Sequence, residues 1–403
     1  MSRFSQFCSV FLLLALIQPL AANAMPTNAE MKARKLASAQ IQADKVRTLL
    51  NQMDSSDIAT RTKAASALSK FKAKARLATP DLIQALTKGD DFTQIAVARY
   101  LSKMGRTASP AALALGAVLK DGSFDLRMAS MYSLYLMGTL GAPAAPDVIS
   151  LLDDANKEIR IASIKALGKM GPKAVPSLVE ALSDSRANVR ENALYAIGRI
   201  GSNAKAAVPS VINFLSDKDA NTRALALKTI EKIGAVASAA TPNLIEMLSD
   251  SNATVRANAA QALGRFHSKD AAAAIPALTA ALQDKNLTVR SEAAHALSGL
   301  GGAPDLLLEP LINAMNDNNW DTRRRASSSL TKIGTKAMPK LLETLNVSTV
   351  AERQLELIDL INNIGPPLPQ SSLDLVKEMA NSPYDRIKYF AKAILAYVET
   401  PKP

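Results

Sequence analysis

Ala174-Val175-Pro176-Ser177-Leu178-Val179-Glu180-Ala181-Leu182-Ser183-Asp184, followed by Val189-Arg190, Ala193, Ala196-Ile197 and Ile200-Gly201, is one copy of a pattern that recurs along the chain with a period near thirty-three. Its proline returns as Pro80, Pro110, Pro146, Pro209, Pro242, Pro276, Pro310 and Pro339. The arginine returns as Arg127, Arg160, Arg223, Arg256, Arg290 and Arg323, and the aspartate as Asp121, Asp153, Asp217, Asp250, Asp284 and Asp317. Repetition at this length signals stacked supersecondary units rather than one globular core.

Each fixed position has a physical use. Proline at the first helical position loses no hydrogen bond, because that amide has no partner within the helix, so it starts a first helix, A. Leu178, Val179 and Leu182, three and four residues apart, form one apolar face. A turn of Asp, Ser and Asn then stops helix A and caps the next. Helix B begins near the arginine and carries small apolar residues, as in Ala193, Ala196, Ile197 and Ile200 or Ala259, Ala262, Leu263 and Phe266. It ends at Gly105, Gly138, Gly171, Gly201, Gly234, Gly301, Gly334 or Gly365, where glycine tolerates a left-handed backbone. Two helices per period and no strand signal predict an all-α fold: a right-handed α-solenoid of antiparallel helix pairs.

The Pro-x-Leu…Asp…Val-Arg…Ala-x-x-Ala-Leu-x-x-x-Gly pattern resembles the HEAT repeat family, in particular the short HEAT-like repeats of phycobilin lyases. Tetratricopeptide and ankyrin signatures are missing. The resemblance covers residues 54–345 and implies a solenoid whose B helices line a concave groove. It implies less about function, because such repeats serve scaffolds, lyases and a metal-dependent hydroxylase. The hydroxylase relatives bind two irons through His-Glu pairs at the starts of B helices. The matching positions here are Glu191-Asn192, Ala257-Asn258 and Ser291-Glu292, and the chain has two histidines in all. The di-iron chemistry is therefore not expected.

The organisation read from the sequence is a signal peptide over 1–24, a capping helix within 25–53, repeats over 54–345, and degenerate repeats with a cap over 346–403. Val10–Ile17 is an apolar core too short to cross a bilayer, and Ala22-Asn23-Ala24 is a small-residue cleavage site. An exported, periplasmic or secreted protein is expected, with no later transmembrane segment. Met31, Leu36, Ile41, Val46, Leu49 and Leu50 are available to the capping helix for covering the first hairpin. The one cysteine, Cys8, falls in the leader, so the mature chain has no thiol chemistry. Removing residues 1–24 takes away one cation, Arg3, and no acid, lowering the net charge from +12 to +11. A basic chain favours anionic partners. Export argues against nucleic acid among them.

His267 stands where other repeats carry the terminal glycine, and reads as a helix-end substitute. Without a companion His, Cys or carboxylate cluster, neither histidine predicts a metal site, and no cofactor is expected. No nucleophile elbow, phosphate loop or His-Glu-x-x-His motif occurs. Trp320 shares its phase with Phe124 and Leu287 and is expected to staple the start of helix B. The Asp and Arg series is expected to form a ladder of exposed pairs along one edge.

The variable positions remain. The first, fifth and ninth residues after each arginine lie four apart and share one stripe, as in Glu191, Tyr195 and Arg199, or Ala224, Lys228 and Lys232, or Ala257, Gln261 and Arg265. Its central line, expected to face solvent, is Tyr132, Lys165, Tyr195, Lys228, Gln261 and His295. Beside it a cationic edge contains Lys169, Arg199, Lys232, Arg265 and Lys332, with Lys173, Lys205, Lys269 and Lys336 close in phase. Helix-end cations complement the helix dipole by about 0.3–1 kcal/mol each, which is the structural use for such an edge. The functional expectation is a non-catalytic scaffold binding an acidic protein or peptide along the stripe. An anionic envelope component, lipid head group or glycan, held by the edge is the alternative, and a HEAT-like lyase or oxidoreductase with an unrecognised site is the third class.

Overall fold

The computed structural model describes residues 27–71, 75–266, 273–299, 304–365 and 370–399. The leader, His267, Lys269 and Gly301 lie outside these. The described residues form helices and turns with no strand. Cα packing divides the chain into two units, Met1–Ser177 and Leu178–Pro403.

The first unit begins with α1 (Asn28–Met53) and α2 (Ile58–Lys70). Three hairpins follow: α3 (Thr79–Lys88) with α4 (Asp91–Met104), α5 (Ala112–Ala117) with α6 (Phe124–Met137), and α7 (Ala145–Ser150) with α8 (Lys157–Met170). The B helices α4, α6 and α8 pack on one another in sequence, whereas α3, α5 and α7 touch more sparsely. Helix α9 (Val175–Ala181) spans the division between units.

The second unit repeats the plan through α10 (Ala187–Ile200), α11 (Val208–Ile212), α12 (Ala220–Ile233), α13 (Thr241–Met247), α14 (Ala253–Gly264), α15 (Ile275–Ala281) and α16 (Leu287–Gly299). It continues with α17 (Pro304–Ala314), α18 (Trp320–Ile333), α19 (Met338–Val347), α20 (Ala351–Ile364), α21 (Gln370–Met379) and α22 (Asp385–Glu399). The chain of B-helix contacts runs from α10 through α12, α14 and α16 to α18.

The core is built from the alanines and leucines that the period repeats. Ala193, Ala196, Ile197, Ala259, Ala262 and Leu263 are fully buried. Burying each leucine or isoleucine side chain contributes about 1.5–3 kcal/mol. Small residues set the spacing between helices: a Cβ built on Gly264 of α14 would lie 2.8 Å from the Ala296 Cα of α16. Three B helices are also tied by buried hydroxyls. Ser133 Oγ donates to the Ala98 carbonyl at 2.7 Å, Thr229 Oγ1 to Leu194 at 3.2 Å, and Ser329 Oγ to Ala294 at 3.0 Å.

Prolines stand at the starts of α3, α7, α11, α13, α15 and α19, as expected. Two depart from this role. Pro110 lies in the 3₁₀ turn Gly105–Ala111, and Pro310 lies inside α17, which begins earlier at Pro304. The glycine stops have positive φ, from 54° to 76°, at all seven of the expected positions among the described residues. Their ψ values place them outside the left-handed helical region: Gly201, for example, has φ 68° and ψ −140°. Side chains avoid that region more strictly than the left-handed one. The turn needs it because the chain leaves helix B by reversing into a 3₁₀ segment, as at Gly201–Ala207.

Helix α1 differs from the expected cap. Val46, Leu50, Ala43 and Met53 are buried, but Met31, Leu36 and Ile41 are exposed. Successive members of the exposed set are five residues apart, so at 3.6 residues per turn they do not share one face, and only the C-terminal half of the helix covers the first hairpin.

The charged ladder is more enclosed than the sequence suggests. Arg256 forks onto Asp284, with Nε at 2.6 Å and Nη2 at 2.8 Å, and its Nη1 donates to the Asp250 and Ser251 carbonyls at 2.8 and 3.2 Å. Only 8% of the Arg256 side chain and 13% of Asp284 is exposed. Arg223 makes the same fork to Asp250, and Arg290 to Asp317. Each arginine thus closes its own A–B turn and clamps the next one. In the first unit Arg127 pairs with Asp154 and Arg61 with Asp90. The acceptor is therefore Asp154, one residue beyond the expected Asp153. Arg323, near the end of the series, turns to Glu356 at 3.0 Å.

Candidate partner-binding face

Burial of one side of each B helix leaves the stripe on the other. In the first unit Tyr132 on α6 is 57% exposed and Lys165 on α8 is exposed. Tyr132 stacks on Tyr135, one turn along, at 6.4 Å between centroids and 10° between planes. Lys169 of α8 places its ammonium 5.7 Å from the Tyr135 centroid, a cation–π contact between successive helices. Tyr135 is a feature that phase counting passed over, because it sits one position before the ninth.

In the second unit Tyr195 on α10 is 52% exposed, and Lys228 on α12 and His295 on α16 are exposed as well. Gln261 on α14 is a correction: it is half-buried, and its Nε2 donates to Glu231 Oε1 at 3.3 Å. The first row of the stripe is not closed on α10 or α18, where Glu191 is half-buried and Arg324 exposed, but it is closed on α12, α14 and α16, where Ala224, Ala257 and Ser291 are buried. Small side chains there sit against the neighbouring helix instead of facing solvent.

Lys169, Arg199, Lys232, Arg265 and Lys332 of the edge are all exposed, as are Lys173, Lys205 and Lys336. The second unit mixes acids among them. Glu231, only 8% exposed at its side chain, holds Arg265 at 3.3 Å. Glu292 pairs with Arg325 at 3.1 Å. Burial pushes the Glu292 carboxyl up, the Arg325 guanidinium opposes this, and Asp321 and Glu231 add to it. Asp321 accepts from Ser291 at 2.5 Å and pairs with Arg324 and Arg325; the Ser291 hydrogen bond foremost, then the arginines, holds its carboxyl far below the usual carboxylate range. His295 faces this cluster. Partial burial lowers its pKa first, and Arg325, Lys332, Arg265 and Arg324 lower it further, so the imidazole is neutral near pH 7. The bracing acids were not legible in advance because they fall at different phases of the repeat.

Trp320 does not staple helix B. It is 63% exposed at the start of α18, with the Arg324 guanidinium 5.4 Å from its ring centroid. Phe124 and Leu287, at the same phase, are exposed too. Among the described residues no group of three or more His, Cys, Asp or Glu is placed to hold a metal, and no helix is long and apolar enough to cross a membrane.

Helix pairs, phase-locked turns and a polar outer row on the B helices define an α-helical repeat protein. The family model for HEAT repeats matches residues 46–135, 114–185, 145–209, 175–248 and 241–307, a continuous run over more than half of the chain. The chain belongs to the HEAT-repeat family. Its fold is similar to that of Kap121p in a crystal structure bound to Nup53p, with TM-score 0.56 and 15% identity over 96% of this chain and 48% of that one. It is also similar to the karyopherin Kap121p bound to the SUMO protease Ulp1p, with TM-score 0.55 and 14% identity over 96% and 48%. The chain thus spans about half the length of these proteins, and the likeness is one of fold. No curated protein sequence matches the chain.

Proposed function

We propose that this protein is an exported, non-catalytic scaffold that binds an acidic protein or peptide segment along the free faces of its B helices. The observation that carries the reading is the contrast within each B helix. One side is a repeated alanine–leucine core, and the other presents exposed, non-repeating side chains, Tyr132, Lys165, Tyr195, Lys228 and His295, on a clamped framework. Tyrosines supply large contact area at low conformational cost, and surrounding cations steer an acidic partner. Closer packing among B helices than among A helices supports taking this side as the inner, groove-lining one. Both Kap121p structures hold protein partners, which agrees with such use of the fold. The Val10–Ile17 leader supports export, with Met25 as the mature N-terminus.

The test is capture of a partner by the mature protein from its native compartment. Tyr195→Ala with Lys228→Glu, and Tyr132→Ala with Lys165→Glu, are expected to lose it without changing helicity. Retention of the partner by both pairs contradicts the reading.

A second reading rests on the exposed cationic edge, Lys169, Arg199, Lys232, Arg265 and Lys332, as a site for an anionic envelope lipid or glycan. Binding through an exposed edge collapses with ionic strength, since the screening length falls from about 10 Å at 0.1 M salt to about 3 Å at 1 M. Binding anchored on tyrosines persists. Salt-insensitive binding removes the second reading.

A further inference from the structure

The two units present different faces. In the second, Glu231 in the last turns of α12 holds Arg265, and Glu292 and Asp321 nearer the starts of α16 and α18 pair with Arg325. In the first, the acids of α4, α6 and α8, Asp91, Asp125 and Glu158, stand at the helix starts, and the last seven residues of each helix contain none. They carry Arg99, Lys103, Lys165 and Lys169, none of which joins an ion pair among the described residues. Lys103 is otherwise engaged, donating to the Ser69 carbonyl. Arg99, Tyr132 and Lys165 occupy the same register position on three successive, mutually packed helices and are all exposed. Arg99 escapes phase counting because Gln94 stands where other repeats have the marker arginine. Exposed apolar side chains lie one turn from the row: Leu136, four residues after Tyr132, is 38% exposed, and Ile161, four residues before Lys165, is 40% exposed. The face therefore alternates cation, aromatic, cation across three helices.

We propose that this face of the first unit binds an extended acidic segment of a partner protein with the register acid-x-x-apolar-x-x-acid, its acids on Arg99 and Lys165 and its apolar residue on Tyr132 and Leu136. The spacing selects the conformation. Packed helices lie about 8–10 Å apart. A polyproline II segment returns to the same side every three residues over about 9.3 Å, which matches one helix per turn. A β-strand points its third residue to the opposite side, so it does not present such a row. A helical partner repeats on one side at about 10.5 Å per seven residues, beyond that range. Charge complementarity sets the occupant, because the row offers cations with no acid to compete. The isolated apolar centre between two cations selects a peptide register over a sheet of head groups, which carries charge without periodicity.

The site deepens the reading of the B-helix face as a protein-binding surface and rests on it. The probe is a fluorescent peptide, Glu-Pro-Ser-Leu-Pro-Ser-Glu, titrated with the full mature protein and followed by anisotropy. It is expected to bind more tightly than a peptide of the same composition with the glutamates moved next to the leucine. Tyr132→Ala weakens binding by at least about fivefold, Lys165→Glu abolishes it, and Tyr132→Phe retains it. Leu113→Ala, on the A helix α5, leaves it unchanged. Equal binding of the shuffled peptide overturns the register. Indifference to Tyr132→Ala and Lys165→Glu overturns the site. Binding of phosphatidylserine vesicles through these residues, with none of the peptide, also overturns it. Loss of the natural partner on Tyr195→Ala with Lys228→Glu, while Tyr132→Ala leaves the peptide unaffected, removes this site and leaves the broader reading standing.

Discussion

Arg256 shows how one residue can hold two repeats. Its guanidinium engages all three nitrogens at once: Nη1 on two carbonyls of the turn that precedes its own helix, and Nε and Nη2 on Asp284 of the turn that follows. A lysine keeps the charge but loses this fork. Removing one partner of such an enclosed pair costs about 3–5 kcal/mol, because the other is left buried and unpaired. Arg256→Ala is therefore expected to lower stability by that order, and Arg256→Lys by less, both read by denaturant unfolding. The same clamps set a pH dependence. Arg223 holds the Asp250 carboxyl, and Arg256 that of Asp284, below the ordinary value of 3.8 despite opposing burial. The unfolded chain takes up protons near that value, whereas the folded one resists until lower pH. Their contribution is complete above the unfolded value and lost as the pH falls through the folded ones. Melting temperature is expected to be insensitive to these groups from neutral pH down to about 5 and to drop on further acidification. Replacing both arginines should flatten that acid limb. The period made Arg and Asp visible as a series, but a period defines phase along the chain and not depth of burial. That is why the pairs read as exposed, why Asp153 stood in for Asp154, and why Arg61 at the start was missed.

At the scale of the helix, spacing between B helices is set by what is small. A methyl group on Gly264 would press on the Ala296 backbone at 2.8 Å, with no flexible side chain to give way. Gly264→Ala is expected to cost about 1–3 kcal/mol and to reduce amide protection in α14 and α16 before other helices. The buried hydroxyl of Thr229 gives a second check. Thr229→Val keeps the shape and removes the bond to Leu194, with an expected loss of about 1 kcal/mol by the same unfolding measurement. In a repeat protein such losses are local, so protection is read helix by helix. Helix existence, the A–B alternation and most stops were legible because proline, Asx turns and glycine each impose a backbone geometry wherever they occur. Three things were not. The 3₁₀ connectors follow from where the chain must go after glycine, the idle half of α1 from what lies beside it, and the exposure of Trp320 from the absence of an apolar partner on its own turn. None of these is encoded in a residue's own propensity.

For the whole molecule, a clamped framework frees the outer row of the B helices from any duty to the fold. Tyr132, Lys165, Tyr195, Lys228 and His295 project from it, while Gln261 has been drawn back toward Glu231. Position in the repeat made most of this face readable. The acid bracing of the second unit's face was not, because Glu231, Glu292 and Asp321 occupy unrelated phases and meet only in three dimensions. The most direct test of a B-helix binding face is site-specific photocrosslinking in the native compartment, with the photoreactive residue placed at Tyr132, at Tyr195, or at Leu113, which is 63% exposed on an A helix. A discrete partner adduct is expected from Tyr132 and Tyr195 and none from Leu113. An adduct from Leu113 alone, or none from either tyrosine, would contradict it.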